Sequence, residues 1–351
     1  MLAPVTHIHP VTVVERERLL PVPGEVLVRV GQKVRVTEPI ARANIAPRYR
    51  MVDVAKSFDI PNDQATKHIL VESGMSVKEG DELASRKGLT TRYVRSPIEG
   101  EITLIIGHQI LIKEKSTPFE LLAGLPGTVS NLTPNLGATI TASGALIQGI
   151  WGNHKLQFGL MNVLADTPMH LFSPDQIDVS MRGSVILAGH VEQSETLMYA
   201  RDQRLRGMIL ASMASSLVSV AMQMPFPIVI LEGLGQYPMN DAAFRLLSSN
   251  DKREITVNAQ PLDRSTNQRP ELFIPLPADN ALNIPPNLSV IEPGTRVRII
   301  RDPYHGEIGF IKAILPTLYT FPSGIKAKAV SISLRNKDTV IVPLKNVDVL
   351  A

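Results

Sequence analysis

The 351-residue chain contains no cysteine. Disulfides, thiolate metal sites and cysteine nucleophiles are excluded outright, and the expected compartment is cytoplasmic. Aromatic residues make up only 5% of the sequence, with a single tryptophan. Charge of one sign is scarce as well. The 36 basic and 33 acidic residues leave a formal charge of +3, mild for a protein devoted to nucleic acid. The opening Met1-Leu2-Ala3-Pro4 has neither a basic lead nor a continuous apolar core, so no signal peptide is expected. The uncharged run 207–231 is long enough for a membrane span. It carries four serines, Gln223 and the break Pro225-Phe226-Pro227, so two buried strands around a small-residue helix are expected instead, without membrane insertion.

What is present describes a globular protein. Hydrophobic residues account for 44% and charged residues for 20%, enough to bury real cores. The length suggests two or three domains, and 27 prolines with 23 glycines suggest many turns and short strands. His7 and His9 share one face of a strand but have no third ligand nearby, so they read as exposed polar residues rather than a metal site. No cofactor is expected.

The most organised stretch is 69–106. Ile69-Leu70-Val71 reads as a strand, Gly74 and Gly80-Asp81 as turns, Leu83-Ala84 as a returning strand, and Ile102, Leu104 and Ile106 as an alternating strand. An upstream copy, Val26 to Val34 and then Glu38-Pro39-Ile40-Ala41, repeats the first half, which argues for a pseudo-symmetric β unit. Gly74-x-x-Val77-x-x-Gly80-Asp81-x-Leu83-Ala84, followed by Ser96-Pro97-x-x-Gly100-x-Ile102, resembles the biotinyl/lipoyl-type barrel-sandwich hybrid. That fold also occurs without a carried cofactor in subunits of membrane electron-transport complexes, in efflux adaptors and in RNA polymerase large subunits. A carrier would present its lysine at the hairpin tip within Asp-Lys-Ala or Met-Lys-Met. This chain has Ser85-Arg86-Lys87-Gly88-Leu89 there, so the resemblance implies the fold without the swinging arm.

Further along, the period changes. Ser184–Ala188, Gly207–Ala211 and Pro227–Leu231 are fully apolar strands, alternating with helical segments at Glu192–Arg204, Ser212–Met224 and Asn240–Ser248. Ser212 is placed to cap the second helix. Such alternation implies a mostly parallel sheet with helices on both faces. Ligands in such sheets sit beyond the carboxyl ends of the strands, which makes Gly189, His190, Ser212, Ser215, Glu232, Gly233 and Gly235 a candidate pocket. His190 and Glu232 could supply acid–base chemistry. Gly233-x-Gly235 lacks the third glycine of a dinucleotide fingerprint, and no catalytic residue is assigned.

At the C-terminus, Val297 and Ile299 alternate with Arg296, Arg298 and Arg301, predicting a half-buried strand with its arginines outward. The spacing Gly294-x-x-Val297-x-Ile299-x-x-Asp302-x-Tyr304-x-Gly306-x-x-Gly309-x-Ile311 resembles the KOW motif of small SH3-like barrels in ribosomal proteins and elongation factors. The resemblance implies a contact set of Arg298, Arg301, Tyr304, His305 and Lys312 for RNA or a protein partner.

The expected architecture is thus multidomain α+β. A β-rich barrel-sandwich-hybrid-like domain (1–160) precedes a small three-layer α/β domain (180–277) with a mostly parallel sheet. A proline-rich linker (278–292) then leads to a KOW-type SH3-like barrel (293–351). The expected function is a non-enzymatic binding or assembly factor near RNA, the ribosome or the transcription machinery. The alternatives are a soluble subunit of a membrane redox or transport assembly, and a small-molecule-binding α/β protein or enzyme.

Overall fold

A computed structural model describes residues 2–350, apart from 46, 89, 116–117, 262–267, 278–284, 286–287 and 335–337. Most of the expected linker lies outside the described residues. The chain is mostly β, 46% strand and 15% helix, arranged in several sheets, none closed into a barrel.

The N-terminal half is built as one unit nested within another. In the outer unit, strand Lys33–Val34 pairs with Gly127–Thr133, and Pro39–Ala43 pairs with Phe119–Leu122. In the inner unit, Ser76–Val77 pairs with Gly100–Ile106, and Glu82–Arg86 with Arg92–Arg95. Their turns match in detail. Gly31 and Gly74 both adopt positive φ (82° and 90°), a conformation open to glycine at no steric cost. The Glu38 carboxylate accepts from the Arg35 N–H, and Asp81 accepts from Lys78 N–H in the same way. The whole inner unit, 49–114, sits between the paired strands Pro39–Ala43 and Phe119–Leu122 of the outer one. Each has its own core: Val14, Val34, Ile40, Leu125, Val129 and Ile140 in the outer unit; Phe58, Val77, Leu83, Ile102, Ile110 and Ile112 in the inner. The segment Tyr49–Asp53 is a strand paired with Gln109–Glu114; Val54–Phe58, capped by Asp53, and Asn62–Ala65 are short helices that follow it.

Residue 160, the expected end of the first domain, falls inside a strand. Strand Leu156–Val163 pairs with Val185–Leu187 on one side and Glu254–Asn258 on the other, inside one 12-stranded sheet. Four of its strands, Leu156–Val163, Val185–Leu187, Gly207–Met213 and Ile228–Leu234, run parallel in spatial order. The last three are buried almost throughout because both faces are covered. Helix Ser194–Asp202 and the short helix Val218–Gln223 pack on the side of Ile186, Leu210 and Ile230. Helix Asp241–Ser248 packs on the side of Leu187, Ile209 and Leu231. His190–Val191 also runs parallel beside Gly207–Met213; the remaining strands are antiparallel, running through Glu271–Pro275 into the long strand Gly137–Gln148, which Ile8–Leu19 flanks. Among the described residues no helix is long and apolar enough to cross a membrane.

The C-terminal residues form a seven-stranded open sheet that recruits the other end of the chain. Leu2–Thr6 lies between Leu288–Val290 and Val347–Leu350, so 288–290 is a sheet strand rather than linker. Its core gathers Val5, Val297, Ile299, Ile311, Val330, Ile332 and Val349.

Candidate functional site

The two candidate sets, expected on separate domains, meet. The carboxyl ends of the parallel strands deliver His190, Ser212, Glu232 and Gly233. The turn after strand Arg296–Ile299 of the C-terminal sheet is laid over them.

Ser212 does not cap a helix. It is the penultimate residue of strand Gly207–Met213 and is fully buried. Its hydroxyl donates to the Tyr237 carbonyl (2.8 Å) and accepts from the Tyr237 N–H (3.0 Å). His190 Nδ1 lies 2.9 Å from the same oxygen. With the serine proton on Tyr237, the imidazole is the donor, and burial holds its pKa below the ordinary value of 6.5. A serine and a histidine at this distance suggest a nucleophile and its base. Here both hydrogen-bonding modes of the hydroxyl are spent on the backbone and no substrate can reach it, so the pair ties the strand end to the loop 235–239.

Glu232 is equally committed. It is 4% exposed, accepts from the Asn240 N–H with Oε1 (2.9 Å) and pairs Oε2 with Arg298 Nη1 at 2.7 Å. Arg298, expected to face outward, is 2% exposed. It also reaches Asp348 at 3.4 Å, and Asp348 in turn meets Arg269 and the Thr6 hydroxyl. Burial alone would lower the Arg298 pKa; the carboxylates of Glu232 and Asp348 outweigh it and hold the pKa above its usual value. The alternation misleads because this strand is covered on both faces, one by its own core and the other by the parallel sheet.

His305 packs against Tyr237 with ring centroids 3.7 Å apart and the rings tilted by 47°, and the Tyr237 hydroxyl reaches Asp302 at 3.4 Å. Burial lowers the His305 pKa, Glu232 opposes the shift and Arg298 adds to it. The three glycines serve this packing. A Cβ on Gly189 would sit 1.8 Å from the His170 carbonyl oxygen, and one on Gly235 (φ +126°) would sit 2.9 Å from the Tyr237 ring. Gly233 lies against both rings. Ser215 is exposed on a 3-10 turn and takes no part.

Of the remaining expected contacts, Arg301 and Lys312 are exposed, and Tyr304 is half-buried against the C-terminal core. His7, expected at the surface, is buried beside His9, with ring nitrogens 3.1 Å apart. Lys87 is exposed at its hairpin tip.

One residue that the motif did not single out stands on the outer face of the C-terminal sheet. Phe310 is 55% exposed on strand Ile308–Ile314, directly across from Arg296 on one neighbour and Ser333 on the other. Lys312 follows at a bulge in the same strand. The signal was in the sequence: Gly309 and Ile311 face inward, so Phe310 must face out. No protein-family model matches the chain, nor does any curated protein.

Proposed function

We propose that the chain is a non-enzymatic binding and assembly factor that holds single-stranded RNA on the outer face of its C-terminal sheet. The observation that carries this reading is Phe310, an exposed aromatic on a sheet face with Arg296 across the strand pair and Lys312 beside it. A base stacks on such a ring while the cations neutralise its phosphates, independently of sequence. The excess of nine basic over five acidic residues in 292–351 supports the same partner. In this reading the segment is a KOW-type SH3-like module whose usual loop has been turned inward to hold the parallel sheet, leaving the sheet face for RNA. The nested N-terminal units are a barrel-sandwich-hybrid pair without a carrier lysine.

Binding to a single-stranded RNA oligonucleotide over a salt series tests this reading. The binding constant should fall linearly on a log–log plot, and Phe310→Ala should weaken it by about 1–3 kcal/mol. Salt-independent retention, or none, contradicts it.

A second reading rests on another surface. Tyr49, Met51, Leu104 and Ile106 are all exposed on the outer face of the inner unit's four-stranded sheet. An apolar patch on a β sheet suits a protein partner, as in a subunit of a larger redox or transport assembly. Co-purification that Met51→Asp and Ile106→Asp abolish would favour it.

A further inference from the structure

The 12-stranded sheet has a second polar patch, joined to the strand-end cluster through the Arg269–Asp348 pair. Gln148, Glu271 and Asn258 lie directly across from one another on three adjacent strands, all buried. Strand Ile8–Leu19 runs beside them. Its core-facing positions read Val14, Arg16, Arg18, so two arginines stand where the alternation calls for apolar side chains. Together these residues line a cleft of about 720 Å³, within the size range of small-molecule sites.

Charge in the cleft is unevenly matched. Arg16 takes both oxygens of Glu271, with contacts of 3.1, 3.1 and 2.6 Å. Arg269 is engaged with Asp348. Among the described residues Arg18 makes no hydrogen bond or ion pair with a carboxylate. Its one hydrogen bond among the described residues runs from Nε to the Leu122 carbonyl oxygen, at 3.3 Å. Its guanidinium lies against Gly124, where a Cβ would come within 3.2 Å of Cζ and where φ is +74°. The guanidinium thus packs on the Gly124 backbone with its Nε turned to Leu122. Burial holds the Arg18 pKa below its usual value, Glu271 opposes this, and Arg16 adds to it. Glu15 and Glu17 also border the cleft, from the exposed positions of the same strand.

We propose that this cleft binds an oxyanion-bearing small molecule, a phosphate or a carboxylate, clamped by the guanidinium of Arg18 with the amides of Gln148 and Asn258 alongside. A guanidinium fork matches either group with two parallel hydrogen bonds. The site is independent of the RNA-binding face.

Thermal unfolding of the full chain in inorganic phosphate and in succinate, each matched to sodium chloride at equal ionic strength, tests the proposal. One anion should raise the Tm of the wild type and of the surface control Arg29→Gln, and which anion does so identifies the class. In Arg18→Gln the apparent affinity should drop by about tenfold or more. No stabilisation of the wild type by either anion beyond chloride overturns the proposal, as does an unchanged shift in Arg18→Gln.

Discussion

The large sheet buries polar groups at two places and treats them in opposite ways. At the carboxyl ends of the parallel strands, Ser212, Glu232 and Arg298 are all but inaccessible, and each is fully paired within the chain. Where strand Ile8–Leu19 borders Glu271, Arg18 is embedded with a single backbone acceptor among the described residues. The contrast teaches that burial and charge do not by themselves mark a functional site. Ser212, Glu232 and Arg298 are satisfied within the chain and hold the structure together; Arg18, among the described residues, is left for another partner.

The sharpest way to break that contrast is to unpair the closed end. Glu232→Met should leave Arg298 with only the more distant Asp348 and cost about 3–5 kcal/mol of stability, measured by denaturant unfolding. Gly189→Ala comes next. Its Cβ would collide with the His170 carbonyl, so about 1–3 kcal/mol is expected as the segment after residue 170 is pushed off the strand end. Acid should loosen the same region. His190 and His305 have folded pKa values below 6.5, so the unfolded chain binds more protons. Their contribution is complete above pH 6.5 and is lost as the pH falls through the folded values; an acid Tm series should show it, and His305→Phe should flatten it. The smallest effect belongs to Ser215→Ala. It should change stability by no more than about 0.5 kcal/mol and leave RNA retention alone; a larger loss would put that exposed turn in the site.

Much of the local structure was legible in the sequence. The apolar strands around Ile186, Ile209 and Ile230 announce burial on both faces, and Asn240 marks a helix start that it caps through the Ala242 N–H. The repeat showed at Gly31 and Gly74 because a positive φ demands glycine. Its second half did not, since Gly127 and Gly100 are almost the only residue types its strands share. The candidate site was legible as two lists but not as one place. Sequence spacing says that Arg298 alternates with Val297 and Ile299; it does not say that Glu232, sixty-six positions earlier, lies across from it. Nor could it show that the Asp302–His305 turn packs onto Tyr237, because that contact depends on how two sheets dock. Arg18 escaped notice for a related reason: an arginine on a strand ordinarily reads as a solvated face.

The most direct measurement is a double-mutant cycle on Glu232 and Arg298. Both single Met variants should be strongly destabilised, while the double variant should lose no more than either single one, because the surviving charge is what makes each so costly. Additive, small losses would contradict the account and reopen the strand ends as a site for a ligand.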